Sequence, residues 1–158
     1  MRLLLSVLVV AILAIAGNAR PAEEKLPHFA ALRADEVNLR TGPGEQYPIT
    51  WVYHRKGLPV EVTAAFDVWR KVRDSDGTEG WVHERMLSAE RSIVVEGSEQ
   101  TLLADPEPSA QPVARAEPGV IAHLLECHSS WCRVEAHGIK GWLPEDDVWG
   151  VEPGETVE

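Results

Sequence analysis

Two cysteines lie five residues apart in Cys127-His128-Ser129-Ser130-Trp131-Cys132, the densest grouping of reactive side chains in the sequence. Three chemistries are open to such a pair. A disulfide would close a short loop and stabilise the fold by roughly 2 kcal/mol on a chain-entropy argument. Zinc would need four donors, here Cys127, Cys132, His128 and His137, and no second cysteine pair is present to complete a common zinc site. A redox dithiol favours Cys-x-x-Cys spacing, which is absent. The cysteine count and the compartment argued below favour the disulfide, with zinc as the alternative.

Other catalytic chemistry finds little to use. The six histidines are His28, His54, His83, His123, His128 and His137, and none stands in His-Glu-x-x-His. There is no Gly-x-Ser-x-Gly elbow and no phosphate-binding glycine loop. Carboxylates are plentiful, but a glycosidase needs two held about 5–9 Å apart across a cleft. The expectation is a protein that is not an enzyme, with no cofactor and no metal.

Charge narrows the partners. The 15 basic and 25 acidic residues give a net charge of −10. From Asp35 to Val95 there are 8 Lys/Arg against 10 Asp/Glu; from Glu96 onward there are 3 against 13. A surface this acidic repels phosphate backbones and anionic headgroups, which argues against nucleic acid as a partner.

The elements that must position these residues begin after a leader. Leu3 to Ala16 is apolar except for Ser6 and is followed by Gly17-Asn18-Ala19. The run is too short for a membrane span of about 20 residues but suits a secretory signal peptide cut before Arg20. The expected location is therefore periplasmic or secreted, with no stable membrane insertion after cleavage.

The rest of the chain repeats itself. Trp69-Arg70-Lys71-Val72 recurs as Trp131-Cys132-Arg133-Val134, and Gly57 recurs as Gly119, both at an offset of 62. Gly80-Trp81-Val82 recurs as Gly141-Trp142-Leu143 at an offset of 61, so one residue is lost from the turn between. This alignment sets Cys127 and Cys132 on Ala65 and Arg70, facing each other across a tight hairpin. A period near sixty matches one small domain rather than a solenoid unit. Alternation in Pro59-Val60-Glu61-Val62-Thr63-Ala64 and around Trp69–Val72 reads as strands. Asp76-Gly77 within Asp74–Thr78 marks a hairpin, and Thr41-Gly42-Pro43-Gly44 a loop. Short strands with Gly/Pro turns indicate an all-β barrel or sandwich.

Val37-Asn38-Leu39-Arg40-Thr41-Gly42-Pro43-Gly44, the later Trp69 strand and Gly80-Trp81-Val82 together resemble the motifs of bacterial SH3-like domains. The second repeat keeps the Trp131 strand, Gly141-Trp142 and Val148-Trp149-Gly150, but has Leu103-Ala104-Asp105-Pro106-Glu107-Pro108 where the opening motif would stand. The resemblance implies two small SH3-like β-barrels in tandem. The expected organisation is a signal peptide over 1–19, an N-terminal extension over 20–33, a first barrel over 34–95, a second, divergent barrel over 96–151, and an acidic tail over 152–158. Ile93-Val94-Val95 is expected to end the first barrel and Thr101-Leu102-Leu103 to begin the second. In the loop motif, Arg40 is expected to tie the following loop to a carboxylate or to carbonyls through its planar fork.

Domains of this kind resemble cell-wall targeting units, which implies a non-catalytic binder of peptidoglycan, of a wall peptide or of an envelope protein. The alternative is a structural or regulatory partner that docks another envelope protein and has no wall ligand of its own. The binding face is expected on the first barrel, which keeps the full loop motif. Tyr47, Trp51, Tyr53, Trp69 and Trp81 would stack on a sugar face or cradle an extended peptide. Asp74 and Glu79 would pair with an amino group. N-terminal sequencing of the exported protein should return a chain that starts at Arg20; one that starts at Met1 would refute cleavage.

Overall fold

A computed structural model describes residues 24–158. The leader expected over 1–19 lies outside the described residues, as does the start of the expected extension. The described chain forms two seven-stranded sheets. The first contains β1 (His28–Leu32), β2 (Val37–Arg40), β3 (Ile49–Tyr53), β4 (Pro59–Phe66), β5 (Trp69–Arg73), β6 (Glu79–His83) and β7 (Leu87–Ser88). The second contains β8 (Ser92–Val95), β9 (Gln100–Leu103), β10 (Pro112–Ala116), β11 (Ile121–His128), β12 (Trp131–Ala136), β13 (Ile139–Pro144) and β14 (Val148–Trp149). Their strand orders are β3-β2-β6-β5-β4-β1-β7 and β10-β9-β13-β12-β11-β8-β14, the same topology used twice. A single 3-10 turn precedes the last strand of each. The fold is two SH3-like barrels in tandem.

Alternation builds each core. In the first barrel Leu32, Val37, Leu39, Val60, Val62, Val72 and Val82 are fully buried. The second encloses Ile93, Val95, Leu102, Val134 and Leu143. Burying each such side chain contributes about 1.5–3 kcal/mol. Gly80 and Gly141 sit where neighbouring strands come too close for a side chain. A Cβ on Gly80 would fall 2.8 Å from the carbonyl oxygen of Arg40, and one on Gly141 would fall 2.7 Å from Cβ of Leu102.

The strand pairing moves the expected boundary. Ile93, Val94 and Val95 do not end the first barrel; they belong to β8, which pairs with β11 and β14 of the second. The residues expected as an extension include β1, which pairs with β4 and β7 of the first. Each barrel thus begins one strand earlier than the opening motif suggests. His28–Leu32 and Ser92–Val95 share no residues in register, so the repeat alignment could not reveal them. The connection between barrels is only residues 89–91. The acidic segment 152–158 folds back on the second barrel. Glu155 accepts two hydrogen bonds from Arg91, at 2.7 and 2.9 Å, and Val157 bridges to Cys127 through both backbone groups. Arg91 holds the Glu155 carboxyl below its ordinary range by that hydrogen bonding.

The hairpins show how the repeats diverged. Between β4 and β5 the chain turns in two residues, with Asp67 at a φ of 51°. Between β11 and β12, Ser129 and Ser130 both adopt positive φ. The five-residue turn Asp74–Thr78 becomes the two-residue turn His137-Gly138, and β12 and β13 lengthen to meet it. Cys127 and Cys132 are register partners across the β11–β12 hairpin, with Cα atoms 4.1 Å apart, and they form a disulfide in the second core. At the same place in the first barrel, Ala65 faces Arg70. There Arg70 is held instead by Glu24 at 2.7 Å and Glu84 at 2.8 Å. Both thiols should resist alkylation until the protein is reduced. Cys127→Ser with Cys132→Ser should lower unfolding free energy by about 2 kcal/mol or somewhat more, read by urea denaturation.

Candidate functional site

The loop after β2 is built before any ligand arrives. The Arg40 guanidinium donates from one nitrogen, Nη1, to the carbonyls of Glu45 at 3.0 Å and Tyr47 at 2.8 Å, tying the loop to carbonyls rather than to a carboxylate. Backbone bonds from Thr41 to Pro48, Gly44 to Gly42 and Tyr47 to Gly44 close it. The Tyr47 ring lies against Gly42, where no Cβ would fit. In the second barrel the same three bonds run from Ala104 to Gln111, Glu107 to Asp105 and Ala110 to Glu107. The loop geometry therefore survives without the glycines, but Leu103 stands at the place of Arg40 and ties nothing.

The seven expected ligand residues occupy three places rather than one groove. On the outer face of the first sheet, Trp69 is half-buried and meets His83 with ring centroids 5.5 Å apart. Trp81 is register partner to both Arg40 and Lys71 on that face. Glu79 pairs with Lys71 at 2.8 Å, and this hydrogen bond lowers the Glu79 pKa. Strand alternation explains the face: Val72 points into the core, so Trp69, Lys71 and Arg73 must point out. Tyr47 stands apart on the loop, 39% exposed.

Trp51, Tyr53 and Asp74 occupy a third place, a cleft of about 760 Å³ between the barrels. Trp51 leaves 55% of its surface to solvent, because β3 is an edge strand. Tyr53 and Asp74 are instead buried and engaged with each other. The Tyr53 hydroxyl donates to Asp74 Oδ2 at 2.9 Å. Asp74 Oδ1 accepts from the backbone N–H groups of Asp76 at 3.0 Å and Thr78 at 2.8 Å. Both side chains therefore fix the β5–β6 turn and brace the cleft from behind. Burial, and then the neighbouring Asp74 carboxylate, push the Tyr53 phenol well above its ordinary pKa.

Sequence reasoning did not find the polar rim of this cleft. Asp76 and Glu96 are exposed there and make no ion pair among the described residues. Arg55 crosses from the first barrel to the Gly119 carbonyl at 2.6 Å. Asp76 was visible only as a turn residue. Glu96 and Arg55 carry no local signal, since only the packing of one barrel on the other brings them to the cleft.

The bacterial SH3 domain family matches residues 33–89 and again residues 96–150. A Bacillus subtilis protein, YrvJ, provisionally named an N-acetylmuramoyl-L-alanine amidase, is 26% identical over 130 residues, covering 75% of this chain and 25% of that protein. Among solved structures, NlpC1 of Trichomonas vaginalis is similar with a TM-score of 0.36 and 14% identity, over 87% of this chain and 50% of that one. An NlpC/P60 family protein of Bacillus cereus gives 0.35 and 16%, over 77% and 55%. The chain thus spans about a quarter of the amidase relative and about half of each of these structures.

Tyr53→Phe should cost about 1–3 kcal/mol near neutral pH, because it leaves a buried acceptor on Asp74 unpaired. The folded protein raises the phenol pKa above the unfolded value of about 10, so this contribution is full below about pH 10 and is lost as pH rises further. Denaturation curves should therefore fall more steeply above pH 10 in the parent than in the variant. Equal slopes would refute the linkage.

Proposed function

Because the chain belongs to the bacterial SH3 domain family, we propose that it is an exported, non-catalytic protein that binds a cell-envelope ligand, peptidoglycan or a wall peptide, through its first barrel. The observation that carries this reading is Trp51. An indole left more than half exposed at the lip of a cleft of about 760 Å³ offers an apolar platform beside polar groups. Sugars and extended peptides both present such mixed surfaces, and aromatic anchors dominate recognition of this kind. Asp76 and Glu96 on the same rim supply acceptors for an amino group of the ligand. Tyr53 and Asp74 act indirectly, by holding the turn that carries Asp76. The disulfide fits an oxidising, extracytoplasmic compartment.

Tyr47 and the outer-face pair Trp69 and Trp81 contribute less in this reading. Trp69 lines only a shallow hollow of about 270 Å³ with Asn38, Arg40 and His83. The Glu79 carboxylate is already occupied by Lys71.

Sedimentation with purified sacculi tests the proposal. The parent should co-sediment, and Trp51→Ala should weaken binding about tenfold or more, equivalent to at least 1.4 kcal/mol, with an unchanged thermal midpoint. Trp69→Ala should bind like the parent. Binding that survives Trp51→Ala would place the site elsewhere. A parent that ignores sacculi but captures an envelope protein would favour the docking role.

A further inference from the structure

The seam between the barrels forms a second cleft, of about 690 Å³, which shares no lining residue with the first. Its floor is small and apolar, with Ala31 and Gly57 from the first barrel and Ile121 and Ala136 from the second. Its rim is charged. Arg33 and Lys56 come from the first barrel, His123 and His137 from the second, and all four are exposed.

The other charged groups at this cleft are mostly committed. Arg91 is held by Glu155 and by the Gly150 carbonyl, and Glu135 pairs with Lys140 at 3.4 Å. Glu90 is the one rim carboxylate with no ion pair among the described residues. Arg33 and Lys56 make none there either. Two fixed cations and two imidazoles therefore face one free carboxylate, in a chain whose net charge is −10. Such a concentration runs against the field of the whole molecule.

We infer that this second cleft binds the free terminal carboxylate of a short peptide. Arg33 would meet the carboxylate with its planar fork, and Lys56 would add a point charge. The floor of alanine, glycine and isoleucine would pack against the apolar side chains beside that carboxylate. The site stands apart from the reading built on Trp51 and does not require it.

The probes are acetyl-Ala-Ala as the free acid and as the amide, each in the L,L and D,D forms, titrated into the full chain and followed by amide NMR. The free acid should shift the signals of Ala31, Gly57 and Ala136 at roughly millimolar concentration, the regime of a weak small ligand. The amide should shift them far less. Preference for the D,D form would point to a wall peptide as the source, and preference for the L,L form to a protein C-terminus. Arg33→Glu with Lys56→Glu should weaken binding tenfold or more, and both side chains are exposed, so the thermal midpoint should hold. Arg33→Gln with Lys56→Gln serves as a milder check. Trp51→Ala should bind the acid like the parent. Equal shifts with acid and amide would overturn the inference, as would no shifts at these positions, retained binding in the charge-reversed variant, or loss of binding in Trp51→Ala.

Discussion

Two backbone carbonyls hold the barrels in one arrangement. Gly57 accepts from the Ser92 hydroxyl of the second barrel at 2.6 Å, and Gly119 accepts from the Arg55 guanidinium of the first at 2.6 Å. Gly57 and Gly119 are the same residue of the repeat, and both adopt positive φ near 80°. In each barrel that turn also returns the backbone to the first strand, through Gly57 to Leu32 and Gly119 to Val95. A residue with a Cβ would be strained there. The position that closes each barrel is thus also the one that presents a carbonyl to its neighbour. Around this pair, Phe29 meets Trp149 edge-on at 4.9 Å, Arg91 lies over the Phe29 ring, and Ile121 packs against the first core. A barrel of some sixty residues is marginal alone because so little of its surface is buried. Sharing apolar surface across the seam, with only three connecting residues, relieves both barrels at once.

Within that frame the chain uses different chemistry for the same mechanical task. The β4–β5 hairpin is pinned by Arg70 between two carboxylates, whereas its counterpart is pinned by a disulfide. The β2–β3 loop is braced by Arg40, whereas its counterpart keeps the same backbone bonds with Pro106 and Pro108 among its residues. The exposed ion pairs are individually weak. The disulfide acts on the unfolded chain and does not depend on solvent screening. The second barrel, which carries most of the negative charge, therefore relies less on surface ion pairs for its hairpin.

Much of this architecture was legible in the sequence. Trp69 with Trp131 and Gly80 with Gly141 fall at matching places in β5 with β12 and β6 with β13, because steric needs at those places are the same in both barrels. The cysteine pairing was legible from the count of two and the expected compartment, while the repeat register set both residues across one hairpin. The first strand of each barrel was not. His28–Leu32 and Ser92–Val95 are short, share no residues in register, and are recruited by the sheet rather than by their own pattern. The aromatic residues were identifiable as a set but not as a site. Alternation sends Trp69 and Trp81 to the outer face, while the edge position of β3 turns Trp51 to the seam and sets Tyr53 in the core. Whether such a residue is ligand platform or core depends on what the second barrel covers, and no local spacing encodes that.

The seam also sorts charge in a way neither barrel does alone. Asp76 of the first barrel and Glu96 of the second meet at one cleft; Arg33 and Lys56 of the first meet His123 and His137 of the second at the other. In a uniformly acidic molecule both clefts would repel carboxylates. Here one rim gathers carboxylates and the other cations, and the two clefts meet at the β3–β4 turn, where Arg55 lines one and Lys56 the other. The second repeat, which lacks the loop motif, supplies the opposite wall of both clefts.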